Sequence, residues 1–99
     1  MHILNRQVLV GFWKKHRDAQ SALQAWIDTV EKARWQSIVD VKQVYPSADA
    51  VGSCTVFNIK GNNYRLITKI HYKTQIVAIA GIYTHPEYDR GGWKNGCKV

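Results

Sequence analysis

The chain has 99 residues, enough for one hydrophobic core and too few for two. Its apolar fraction of 45 % and four tryptophans exclude wholesale disorder. The formal charge of +7 is unevenly spread: residues 60–99 carry seven Lys/Arg against two acids, whereas residues 1–59 carry seven against five. That imbalance favours a polyanionic partner, nucleic acid ahead of an acidic protein or a merely solvated surface.

In chain order, Met1-His2-Ile3-Leu4 reads as a short extended start, at the edge or the centre of a sheet, and Asn5 offers a side-chain cap for a helix. Val8, Leu9, Phe12, Trp13 and His16 recur at helical spacing and predict that first helix over 6–16. Lys14, Lys15 and Arg17 crowd its C-terminal end, where they suit the helix dipole. Asp18 or Ser21 is placed to cap a second helix, with Leu23, Trp26, Ile27, Val30 and Ala33 as its apolar stripe. Trp26 and Trp35 read as core rather than as base-stacking platforms. Ser37 opens a third short helix with Ile38, Val41 and Val44/Tyr45 inward, and Pro46 stops it. Residues 47–53 read as a loop.

From Cys54 the apolar period changes to two. Cys54–Ile59 is a strand. Lys60-Gly61-Asn62-Asn63 is a tight turn with Gly and Asn at positive φ. Tyr64–Lys73 is the next strand, Lys73-Thr74-Gln75 turns again, and Gln75–Thr84 is a strand fit for a sheet centre. The Gly-rich residues 93–99 read as a flexible tail behind a single domain over 1–92, although Trp93 is able to pin them. The order is β-α-α-(α)-β-β-β, an α+β domain with helices on one face of a mainly antiparallel sheet.

Alternation divides the strand Tyr64–Lys73. Tyr64, Leu66, Thr68, Ile70 and Tyr72 point one way; Arg65, Ile67, Lys69, His71 and Lys73 point the other. Unpaired charge is too costly to bury under helices, so the second face is expected to be an open groove lined by cations. Asn58 and Lys60 flank it on the neighbouring strand. Past the last strand lies Thr84-His85-Pro86-Glu87-Tyr88-Asp89-Arg90. Pro86 restricts His85 to extended backbone and so holds its ring at the strand end. Asp89 either orients His85 or caps a helix. RNA cleavage without a metal needs a base for the 2′-hydroxyl, an acid for the 5′-oxygen and a cation for the phosphorane. His85 suits the proton steps and Arg65 the phosphate. Lys69, His71 and Tyr88 are expected to converge on them, while Lys73, Arg90 and Lys94 join Asn58 and Lys60 in binding the RNA backbone. His2 and His16 read as structural or incidental. No CxxC or Cys/His spacing suggests a metal, and no cofactor is expected. No secretory leader or membrane-spanning run is visible in the sequence. The expectation is therefore a cytoplasmic chain with Cys54 and Cys97 both reduced.

The opening MHILNR, Tyr45-Pro46-Ser47-Ala48-Asp49, Val56-Phe57-Asn58-Ile59 with Gly61-Asn62, Tyr64-Arg65-Leu66, Ile70-His71-Tyr72 and Thr84-His85-Pro86-Glu87-Tyr88-Asp89 carry a family resemblance. Taken together, they resemble the HigB-type toxins of type II toxin–antitoxin systems, within the RelE/ParE superfamily. The resemblance covers nearly the whole chain. It implies a RelE-like α+β fold and a metal-independent endoribonuclease that cuts messenger RNA on the translating ribosome, at the 16S RNA and the A site. It also implies neutralisation by a cognate HigA-type helix-turn-helix antitoxin. Arg65 stands where nucleases of this superfamily use a strand arginine on the scissile phosphate, and His85 and Tyr88 stand where they keep catalytic His or Tyr. Two other readings compete: a ParE-like inhibitor of a protein such as gyrase, and a non-catalytic RNA-binding repressor.

Overall fold

A computed structural model describes residues 1–97. A five-stranded sheet has the order β1-β5-β4-β3-β2, with β1 (His2–Leu4), β2 (Asp49–Val51), β3 (Cys54–Ile59), β4 (Tyr64–His71) and β5 (Ile76–Thr84). Only β1 is parallel to its neighbour, pairing with β5 at the sheet edge; the other pairs are antiparallel. Helices α1 (Gln7–Lys15), α2 (Gln20–Lys32) and α3 (Ile38–Val44) precede the main strands. The expected α+β, RelE-like arrangement is thus present, with four additions. These are a 3-10 helix over Arg17–Ala19, the short edge strand β2 inside the expected loop, the one-turn helix α4 (His85–Asp89) and a 3-10 helix over Gly92–Cys97.

The main core lies between the helices and one sheet face. Leu9 of α1, Leu23, Trp26, Ile27 and Val30 of α2, and Val41 of α3 meet Phe57, Leu66, Val77 and Ile79 from the strands. Trp26 and Trp35 are both core residues, packed by edge-to-face and stacked contacts against Phe57. Val44, expected inward, is half exposed, because α3 ends there and Tyr45 makes the inward contact instead. The expected caps are used otherwise. Asn5 takes a left-handed backbone (φ 66°) and its amide donates to the Ile79 carbonyl, while Arg6 stands at the helix start. Asp18 accepts from the Tyr64 hydroxyl at 2.7 Å and leaves Ala19 to open α2.

Tyr64 and Leu66 enter the main core, while Ile67 joins a second cluster on the opposite face. That cluster contains Cys54, Val56, Ile67, Trp93 and Cys97, with Tyr83 and Tyr88 packed against it. The face expected to be open is therefore closed at its middle. Cys54, Val56 and Ile67 form an apolar strip there, which residues 93–97 cover. The flexible tail expected from residue 93 is packed as far as Cys97, and Lys98 and Val99 lie outside the described residues. A Cys54–Cys97 disulfide links the tail to β3, contrary to the expectation of two reduced thiols. Spacing along the chain gives no sign of it, since 43 positions separate the two cysteines and only the fold brings them together.

Candidate functional site

Adjacent strands set the site. Register pairs Arg65 with Asn58 on β3 and with Tyr83 on β5, and Tyr64 with Thr84, the last residue before α4. Arg65 therefore lies at the sheet end where α4 begins. The turn feeding β4 has left-handed backbone at Lys60 and Gly61 (φ 52° and 64°), not at the asparagines. This leaves Asn62 free to turn its carbonyl toward Arg65, whose Nη1 donates to it at 2.9 Å and to the Tyr64 carbonyl at 3.3 Å. The Asn58 side chain donates to the Asn62 side chain at 3.4 Å and braces the same turn. Among the described residues no hydrogen bond engages Nη2 or Nε of Arg65, and a guanidinium edge of that kind is suited to pairing with two oxygens of one anion.

The cation also lies 5.3 Å from the centre of the Tyr88 ring. Trp93 stacks on that ring, with centroids 4.7 Å apart and planes 15° from parallel. The Tyr88 ring, expected to converge on Arg65, is thus engaged by both Arg65 and Trp93. Lys94 lies 5.8 Å from the Trp93 ring centre.

His85 is the first residue of α4 rather than an extended residue at the strand end. Thr84 keeps extended backbone in its place, and Pro86 falls in the first turn, where a missing N–H is harmless. Glu87 accepts from the Thr84 N–H at 2.9 Å and from its hydroxyl at 3.0 Å. Those bonds, the backbone one foremost, hold the Glu87 carboxyl below its ordinary value, with smaller help from the positive charge of Arg90 and His16. His85 Nδ1 lies 3.1 Å from Asp89 Oδ2, one helical turn on. Of the two roles open to Asp89, orienting His85 is the one that this contact supports. With a neutral ring, a carboxylate at Nδ1 favours the tautomer with its proton there and Nε2 as the acceptor.

The remaining expected residues divide by position. Lys69 is on the face of Arg65, four residues further along β4. With Ile67, Tyr83, Trp93 and Cys97 it lines a cleft of about 300 Å³. Tyr83 lies directly over Gly81; a side chain at 81 would begin 2.8 Å from the Tyr83 hydroxyl, so glycine is what lets the ring lie flat. His71 pairs with Ile76 at the opposite end of β4. Six residues at about 3.3 Å each put it about 20 Å along the strand from Arg65. The expected convergence of His71 on the site does not occur, and Lys73 lies further still, in the turn beyond. Lys60 bends to the helix side and pairs with Asp18 at 3.0 Å, so it does not line the groove. Arg90 is exposed at the end of α4. Trp93, Tyr83 and Asn62 adjoin these residues although sequence reasoning did not select them for the site. The aromatic pair Tyr88 and Trp93, five apart across Gly91-Gly92, was the available signal. Among the described residues no group of His, Cys, Asp and Glu is arranged to hold a metal, and no helix is long and apolar enough to cross a membrane.

The family model for HigB_toxin, described as the RelE-like toxic component of a toxin–antitoxin system, matches residues 19–91. The mRNA interferase toxin HigB of Escherichia coli K12 is 28% identical over 92 residues, covering 90% of this chain and 88% of that protein. The mRNA interferases HigB of Escherichia coli O157:H7 and of Shigella flexneri match to the same extent. The span matched by the family model runs from the start of α2 through α4 and contains Arg65, Lys69, His85, Tyr88 and Asp89. The chain belongs to the HigB family, the RelE-like toxic component of a toxin–antitoxin system.

Proposed function

We propose that the chain is an endoribonuclease that cuts messenger RNA without a metal and so arrests translation. The observation that carries this reading is the placement of Arg65. Its guanidinium is pinned to a turn carbonyl and set over Tyr88, at the end of the sheet where His85 and Asp89 begin and end α4. The names of the relatives, mRNA interferases, support the same reading.

The reaction needs two proton movements and one charge. Nε2 of His85 takes the proton of the 2′-hydroxyl, and the 2′-oxygen attacks the adjacent phosphorus. The bond to the 5′-oxygen breaks as the imidazolium returns a proton to it, leaving a 2′,3′-cyclic phosphate on one fragment and a 5′-hydroxyl on the other. Arg65 holds two equatorial oxygens of the phosphorane through its free edge, where charge develops. Asp89 keeps the imidazole in the tautomer that accepts at Nε2. Asn58, Lys69, Arg90 and Lys94 guide the RNA backbone. The substrate is a message on the translating ribosome, in the cytoplasm, and the neutralising partner is a HigA-type helix-turn-helix antitoxin.

The test is primer extension on cellular messages after induction of the wild type, His85→Ala and Arg65→Ala. The wild type should create new ends inside coding regions. Each variant should lose them by about a hundredfold or more while keeping its fold. Growth arrest without new ends would replace this reading with inhibition of a protein such as gyrase, or with repression by RNA binding.

A further inference from the structure

The geometry points to Trp93 as a positioning residue that sets the Arg65–Tyr88 pair. The inference rests on the RNA-cleaving reading above and adds a residue outside the span that the family model matches.

The helix α4 is five residues long, too short to hold its own shape in water. Its end is fixed from outside. Trp93 donates its indole N–H to the Tyr88 carbonyl at 2.8 Å and stacks on the Tyr88 ring, so it grips the backbone and the side chain of one residue together. Gly91 makes this possible. Its φ of 77° reverses the chain, and its N–H bonds the Tyr88 carbonyl while its own carbonyl accepts from Lys94. Trp93 is itself held, being only 9% exposed within the second cluster. The segment that carries it is tied at its far end by the Cys54–Cys97 bond and by the Ser53 N–H on the Cys97 carbonyl at 2.8 Å.

Arg65 thus has two supports. The carbonyls of Asn62 and Tyr64 hold one nitrogen, and the face of Tyr88 holds the plane. Without Trp93 the Tyr88 ring is free to rotate, and the second support is lost. The positive charge stays, so RNA is still attracted; the fork no longer meets the phosphorane in line. Turnover should fall while KM hardly moves, because misplacement by about 1 Å costs about a hundredfold in rate.

The experiment compares wild type, Trp93→Leu, Trp93→Phe, Tyr88→Ala and the Trp93→Leu/Tyr88→Ala double variant. Leucine keeps an apolar plug but neither ring nor N–H; phenylalanine keeps the ring alone. Cleavage rates are measured against message concentration in a reconstituted translation reaction, with a thermal melt of each protein. Trp93→Leu should lose about a hundredfold in kcat with KM within about twofold, and Trp93→Phe should recover most of the loss. The double variant should be no slower than Tyr88→Ala alone, because Trp93 acts through that ring. Wild-type turnover in Trp93→Leu overturns the inference. So does a loss that appears in KM, or one that adds in full to that of Tyr88→Ala. In parallel, the Arg65 side-chain N–H resonance should move in Trp93→Leu as the Tyr88 ring leaves it. That readout separates the two ideas: wild type without cleavage but with this shift sinks the RNA reading and keeps the contact. An unmoved resonance sinks the positioning role whatever the RNA result.

Discussion

The contact by which Asp89 is proposed to orient His85 needs little binding energy. The Asp89 carboxylate and the His85 ring are both at least half exposed, so the pair adds at most about 1 kcal/mol to stability. In the proposed mechanism its value is directional, since it would select which nitrogen of His85 carries the proton. Asp89→Asn is therefore expected to leave the thermal midpoint almost unchanged and to slow message cleavage about tenfold. That is well short of the loss expected for His85→Ala, because the base remains but is no longer held in one tautomer. Rates of new-end formation for the two variants decide it. Equal rates for Asp89→Asn and wild type would mean that His85 orients itself. Lys60 makes the contrasting case. Its charge looked as available as that of Lys94, but the left-handed turn carries it to Asp18, and a cation with a partner on the helix side is lost to the groove. In the sequence all cations look alike; only the turn geometry separates those that face the same way.

At the scale of the element, α4 is the most consequential feature that sequence reasoning did not place. Pro86 argued for extended backbone at His85. The structure overrides that preference, because α4 begins at His85 itself, behind the extended cap residue Thr84, and uses the proline in the first turn. By contrast β3, β4 and β5 were legible from their β-branched and aromatic runs between turn signals, although both faces of β3 and of the middle of β4 are buried and strict alternation of burial is absent. The three-residue β2 was not, because Asp49-Ala50-Val51 is too short to show a period. The cap of α4 gives a pH prediction. The Thr84 N–H and hydroxyl hold the Glu87 carboxyl below its ordinary value of 4.5. A carboxyl depressed by folding adds stability that is present above the unfolded value and lost as pH falls through the folded one. Amide protection at the start of α4, relative to the intrinsic exchange rate at each pH, should therefore fall below pH 4.5, and Glu87→Gln should flatten that dependence while fraying the helix at neutral pH. An α4 that stays protected well below that value, or a variant that follows wild type, would show that tail packing alone holds the helix.

For the whole molecule, two clusters of unequal size share one sheet. The large one, between the helices and the sheet, contains most of the buried apolar side chains and accounts for the fold. The small one, on the opposite face, organises the site: it seats Trp93 under Tyr88 and closes the middle of the cationic face. The first was readable from amphipathic stripes. The second was not, because its members come from β3, β4 and a Gly-rich segment with no period, and because the expectation of reduced cysteines hid the covalent tie. This division predicts how the protein responds to reduction. The Cys54–Cys97 bond closes a loop spanning 43 positions that holds β3, β4, β5 and α4. Constraining an unfolded loop of that size is worth about 2–4 kcal/mol. Urea unfolding with and without a dithiol reductant should differ by about that amount, with Cys97→Ser following the reduced curve under both conditions. The main core does not contain the cysteines, so the reduced chain should still unfold in one cooperative step, at a lower midpoint. Its tail, tied now through Trp93 and the Ser53–Cys97 backbone hydrogen bond, should lose amide protection first. Coincident curves would mean that the two sulfurs are not bonded in solution. Loss of all cooperativity on reduction would mean that the small cluster, rather than the large one, keeps the sheet together.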